Sequence, residues 1–112
     1  MNKYNAKKTV YKGQKFDSKK EADRYAVLKL LERAGEISDL KRQVRYIVVP
    51  AQYENDRLLY RSSTYVADFV YRRAGELVVE DVKGYRKGSA YTTFKIKQKL
   101  MYQLYKIKVI ES

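Results

Sequence analysis

Asp68, Asp81 and Lys83 are the residues of this 112-residue chain whose types and spacing could do chemistry together. In a strand, residues two apart share a face, so Asp81 and Lys83 project together from the run Leu77–Lys83, while Glu80 and Val82 project from the other side. The turn Arg72–Glu76 makes that run an antiparallel neighbour of Tyr65–Tyr71, in which Asp68 interrupts large apolar residues. An acid in such a place is costly unless something partners it. Two carboxylates from adjacent strands can hold one or two Mg²⁺ ions on a phosphodiester, lowering the pKa of an attacking water and polarising the phosphate. Lys83 would then stabilise charge in the transition state. An ordinary lysine, with a pKa of about 10.4, is a poor base at neutral pH, which makes Lys83 an electrostatic partner. The bland alternative is a cross-strand ion pair of Lys83 with Asp68 or Asp81, worth only ~0.2–1 kcal/mol when exposed. Spacing alone does not choose between them.

Two absences narrow the chemistry. The chain has no cysteine and no histidine, which removes disulfides, zinc sites built on Cys or His, and every nucleophile–histidine triad. Oxygen ligands suit hard cations such as Mg²⁺. Lys and Arg total 25 against 13 acids, a net charge of +12, which points to a polyanionic partner and first of all to nucleic acid. Residues 1–16 and the stretch Val82–Ile110 hold only basic charges, and the acids lie between Asp17 and Asp81 with Glu111 the exception. Twelve tyrosines are interspersed; some could stack on bases, although most suit half-buried strands.

The elements that must position these groups are readable in outline. Residues 1–16 form a basic arm, in which Thr9–Tyr11 could be a short strand turning at Gly13. Ser18 with Glu21 has the form of a capping box and opens a helix that Gly35 should stop. Its apolar positions wrap most of the way round, predicting cover on more than one side. Val44, Tyr46 and Val48 alternate along a strand, and Glu54–Arg57 reads as the turn of a hairpin before Tyr65–Tyr71 and Leu77–Lys83. A loop over 84–92 leads to a second helix capped by Thr92 or Thr93, and Ile107–Ile110 is a last strand. The order helix, strands, helix, strand predicts an α/β or α+β fold, a sheet with a helix on each side, in one domain spanning 1–112. No apolar run approaches a membrane span and no signal peptide opens the chain, so a soluble, cytoplasmic protein without membrane contact is expected.

The run Lys15-Phe16-Asp17-Ser18-Lys19-Lys20-Glu21-Ala22, with Tyr65-Val66-Ala67-Asp68-Phe69 and Val78-Val79-Glu80-Asp81-Val82-Lys83-Gly84 after it, resembles a family of small bacteriophage endonucleases of the PD-(D/E)xK nuclease superfamily. The likeness covers almost the whole chain, with Ala67 standing where the superfamily pattern has proline. It implies a restriction-endonuclease-like core, a mixed sheet flanked by helices in the order α-β-β-β-α-β. It further implies Mg²⁺ or Mn²⁺ dependence and hydrolysis of DNA phosphodiesters, with branched DNA such as Holliday junctions a candidate substrate. An acid on the first helix completes the site in such nucleases, and the matching position is Glu21, for which the capping box is a second explanation worth ~1 kcal/mol. Side-chain alternation selects Asp81 over Glu80 as the acid that shares a face with Lys83.

For substrate contact, the basic loop Tyr85-Arg86-Lys87 lies shortly after Lys83 and suits the DNA backbone. Lys95, Lys97 and Gln98 on the second helix are further candidates, although surface exposure explains the last two equally well. One cleft per chain means that cutting both strands would need a homodimer or two binding events. The rival reading is a non-catalytic basic DNA- or RNA-binding module. It accounts for the charge and the tyrosines but not for acids set into apolar strands, where they would repel phosphate unless a cation stood between.

Overall fold

The computed structural model describes residues 8–112, so Lys3 and Lys7 of the expected arm lie outside the described residues. From Thr9 the chain forms the short strand and turn at Gly13 expected within the arm. Strands β1 (Thr9–Tyr11) and β2 (Gln14–Phe16) pair antiparallel across Lys12 and Gly13, both at positive φ, as a two-residue turn matched to strand twist requires. Phe16 closes the hairpin into the core.

Helix α1 (Lys19–Arg33) starts where the Ser18 side chain accepts the Glu21 backbone N–H at 3.1 Å. It ends with Gly35 at φ 81°, where the N–H groups of Gly35 and Glu36 reach back to the carbonyls of Glu32 and Leu31. That pair of bonds satisfies carbonyls the helix itself leaves open. Ala22, Tyr25 and Leu28 are buried, whereas Val27 and Leu30 are exposed. Among the described residues the helix is therefore covered on one side, the side that lies on a face of the sheet.

The long strands are β3 (Ser38–Val49), β6 (Ser63–Arg73) and β7 (Glu76–Asp81), with a short β8 (Ile110–Glu111) after helix α2 (Gly88–Tyr105). They form a four-stranded mixed sheet in the order β3-β6-β7-β8, antiparallel except for the parallel pair β7–β8. Between β3 and β6, β4 (Gln52–Glu54) and β5 (Arg57–Tyr60) make a separate hairpin through Asn55 and Asp56, with Tyr53, Leu58, Leu59 and Tyr60 exposed. The fold is mixed α+β, with each helix packed on its own face of the sheet. Ala22, Tyr25 and Leu28 of α1 pack with Phe16, Ile37, Phe69 and Tyr71. Phe94 and Met101 of α2 pack with Val48, Tyr65, Ala67, Val70, Val79 and Val109.

Several boundaries differ from the sequence expectation, among them the last strand, which is Ile110–Glu111 and not Ile107–Ile110. Helix α2 begins at Gly88, four residues before Thr92, and Thr92 Oγ1 donates back to the Gly88 carbonyl instead of capping the N-terminus. Strand β7 ends at Asp81, so Lys83 lies just past it. The pairing nevertheless continues with the chain's end: Ser112 N–H donates to the Asp81 carbonyl and Lys83 N–H to that of Ser112, both at 2.9 Å. Among the described residues no helix is long and apolar enough to cross a membrane.

Candidate active site

The site grows out of a break in strand β6. Tyr65 and Ala67 face the α2 layer, but Phe69 and Tyr71, of the same parity, face the α1 layer. A regular strand keeps such residues on one side, so the change of side falls at Asp68. Both neighbours are irregular there. On β3, Arg42 pairs with Phe69 and Val44 with Ala67, but Gln43 between them sits at φ 54°, a conformation non-glycine residues rarely take. On β7, the ladder ends at Phe69↔Glu80. Where Asp68 would face Asp81, the side chains take over: Asp68 Oδ2 accepts the Val82 N–H at 2.9 Å and Asp81 Oδ1 lies 3.4 Å from the Asp68 N–H. Gln43 Nε2 donates to Asp68 Oδ1 at 3.3 Å.

Glu21, Asp68, Asp81 and Lys83 are thereby brought together. Glu21 and Asp81 are 4% and 5% exposed. Lys83 Nζ sits 2.6 Å from Asp81 Oδ2 and 3.8 Å from the centre of the Phe94 ring, a cation fixed between a carboxylate and an aromatic face. The Lys83 carbonyl accepts from Lys20 Nζ, which ties the start of α1 to the segment after β7. Glu21 Oε2 lies 3.4 Å from the Asp17 N–H and 3.8 Å from Arg42 Nη2. Arg42 in turn stacks on Phe16, 3.8 Å from the ring centre. The capping bond of α1 uses the backbone of Glu21, which leaves its carboxylate to the cluster.

Crowded acids resist losing their protons. Burial, and then the hydrogen bond and charge of Glu21, push Asp68 up to about 7. Burial, and then the charge of Asp68, push Asp81 up to about 6 against the opposing pull of Lys83. Folding without a cation thus favours the protonated acids, and their contribution to stability is lost as the pH rises from ~4, the unfolded value, through those two values. Glu32, Glu80 and Glu111 are shifted downward, so their contributions are complete above ~4.5 and do not vary across the rest of that window. In EDTA the melting temperature should fall between about pH 5 and pH 8, and Asp68→Asn should flatten that fall. Thermal melts across the range check this; parallel curves for the two proteins would show that folding does not raise Asp68.

Oxygen donors without sulfur or imidazole suit a hard divalent cation, and mutually repelling carboxylates gain from one. As placed, however, no three such side chains among the described residues converge at ion-binding spacing. Lys83 occupies one oxygen of Asp81 and the Val82 N–H one of Asp68.

The remaining candidates separate. Lys97 lines a cleft of about 350 Å³ with Asp81, Lys83, Tyr65, Thr64 and Thr93. Gln98 does not join it: one residue further along a helix is a turn of ~100°, and its Nε2 donates to the Val109 carbonyl at 2.8 Å beside a second, smaller groove. Arg86 and Lys95 both pair with Glu111, which also accepts from the Tyr91 hydroxyl at 2.8 Å. Tyr85 and Lys87 are exposed on the same loop, Lys87 at the start of α2. Glu80, the rival third acid, is fully buried on the opposite side, held by Arg24 at 2.6 and 2.9 Å, the Tyr71 hydroxyl at 2.8 Å and Ser112 Oγ at 3.0 Å. Sequence reasoning passed over Gln43, Arg42 and Tyr65. Nothing in a strand's alternation marks a glutamine that will adopt positive φ, and Tyr65 reads as an ordinary strand tyrosine.

The sequence pattern of one family, described as "Protein of unknown function (DUF1064)", matches residues 1–110. No curated protein and no solved structure matches the chain.

Proposed function

For this chain, which belongs to the DUF1064 family, we propose a metal-dependent endonuclease activity on DNA, carried out on a core of the PD-(D/E)xK kind. The observation that carries the reading is the packing of Asp68, Asp81 and Glu21 beside Lys83 in a chain of net charge +12. A protein that only bound phosphate would gain nothing from acids packed together at the edge of its cleft, whereas a cation between acids and phosphate turns repulsion into a bridge. Asp68 and Asp81, with Glu21 beside them, would hold a Mg²⁺ or Mn²⁺ ion. When bound, it would activate water and polarise the scissile phosphate.

The protein's own groups have distinct tasks. The Val82 N–H and Gln43 amide fix the Asp68 carboxylate, and Lys83 fixes that of Asp81. Lys83, held in place by Phe94, stabilises negative charge growing on the phosphate. Lys97 and the exposed Lys87 supply backbone contacts that position the duplex without reading its bases. The resemblance to phage nucleases adds branched DNA as the favoured substrate.

A labelled four-way junction and a linear duplex, each incubated with Mg²⁺ and with EDTA, test the reading. Cleavage only with the divalent ion is expected, faster on the junction. No cleavage of either substrate in Mg²⁺ or Mn²⁺ overturns it. Glu21→Gln keeps the backbone cap and removes the charge, so activity should fall about 10–100-fold, as when a metal site loses a supporting group. Wild-type activity would return Glu21 to a purely helical role.

A further inference from the structure

The cleft beside Asp81 is lined by a residue whose donor has no well-formed hydrogen bond among the described residues. Tyr65 is 3% exposed, and its buried hydroxyl makes no hydrogen bond among the described residues. It lies beside Asp81, near enough to feel that carboxylate as a charge and as an acceptor, but without a well-formed hydrogen bond to it. Burial first, and then that carboxylate's charge, hold the phenol proton on. A buried polar group without a partner costs stability, so an orphan hydroxyl on a residue that lines a cleft asks what it is kept for. Its surroundings limit the answer. Thr64, Thr93, Lys83 and Lys97 line the same cleft, which combines hydroxyls and cations of the kind that receive phosphate. The Tyr65 ring packs on Phe94, the ring over which Lys83 Nζ stands, so one aromatic side chain fixes both the hydroxyl and the ammonium.

We infer that this cleft seats one phosphate of the nucleic-acid backbone, with the Tyr65 hydroxyl donating to a phosphate oxygen and Lys97 neutralising it from α2. The place of that phosphate next to the cutting site rests on the nuclease reading above; the seat itself is a binding property. Tyrosine suits the task because it offers a donor without adding a charge that would compete for the acids. The contact is blind to base identity, so it serves any sequence.

Tyr65→Phe and Lys97→Ala, in the full chain, separate the donor from the cation. Affinity for a fluorescent duplex is read by anisotropy in Ca²⁺ over a salt series, with thermal melts of each protein. Tyr65→Phe should weaken binding by about tenfold to a hundredfold, the range of a hydrogen bond to a charged group, with an unchanged salt slope. Its melting temperature should be equal to or above that of the wild type, because the orphan is gone. Lys97→Ala should weaken binding and reduce the salt slope by about 0.9, one phosphate's share. Wild-type affinity in Tyr65→Phe overturns the seat and leaves the hydroxyl to a water. Weaker binding together with a lower melting temperature also overturns it, in favour of a packing role. If the wild type binds and the variants behave as expected, but no divalent ion supports cutting, the nuclease reading falls and the seat stands. If the wild type does not bind duplex, both fall.

Discussion

Asp81→Asn is expected to lower the rate of DNA cleavage by about a thousandfold or more, with the folded protein and its affinity for DNA nearly unchanged. Asparagine keeps the shape and still offers an oxygen to the Asp68 N–H, which now approaches Asp81 Oδ1. What it loses is the charge that pairs with Lys83 at 2.6 Å and that would grip a cation. Stability is set by opposing changes. Relief of the repulsion from Asp68 favours the variant, and loss of the Lys83 ion pair disfavours it. The melting temperature should therefore stay within a few degrees. Lys83→Ala should lose about 10²–10³-fold in rate while still binding, because Lys83 acts on charge that develops in the transition state. Single-turnover cleavage measured beside anisotropy separates rate from affinity. An Asp81→Asn protein that cuts at the wild-type rate, or a wild type that cuts in EDTA, would sink the metal-dependent mechanism.

How much of this arrangement could be read from the residues varies with the physics involved. Ser18, Glu21 and Gly35 bounded the first helix because capping is local chemistry, and both ends formed as those residues predict. The hairpin around Asn55 and the return at Arg72–Glu76 were legible for the same reason. Alternation put Asp81 with Lys83 and Glu80 on the far side, and the two acids do have opposite surroundings. Period-two reasoning failed at Asp68, where β6 changes the face it presents, because a break in register depends on both neighbouring strands. The strained Gln43 belongs to the same break. The start of α2 was missed because Gly88 and Ser89 are poor helix formers and look like loop. Here Phe94 and Met101 packing on the sheet outweigh their propensity. Arg86 and Lys95 read as free basic charges because their partner, Glu111, is remote in sequence and comes alongside β7 only through a parallel crossover.

Glu80→Gln is expected to destabilise the protein by ~2–4 kcal/mol, below the full cost of breaking a deeply buried pair because the Arg24 side chain keeps some contact with water. Glu80 is fully buried, and burial alone would raise its pKa. The hydrogen bonds from Arg24 and Tyr71 more than offset that and hold it below the ordinary value. A glutamine cannot answer Arg24 through two oxygens, and its amide meets donors on every side. At ~4 °C or more per kcal/mol for a chain of this size, the melting temperature should drop by about 10 °C. The acid limb should change too. A lowered pKa means stability that is present above the unfolded value of ~4.5 and lost as the pH falls through the folded value. The variant should therefore melt with a shallower dependence on pH in that range. Below its melting temperature it should cut DNA at close to the wild-type rate, because Glu80 faces α1 and lies outside the cleft of Asp81 and Lys83. A stable Glu80→Gln protein would show that the buried network contributes little. A well-folded but inactive one would move the third acid from Asp81 to Glu80, against the geometry of both strands.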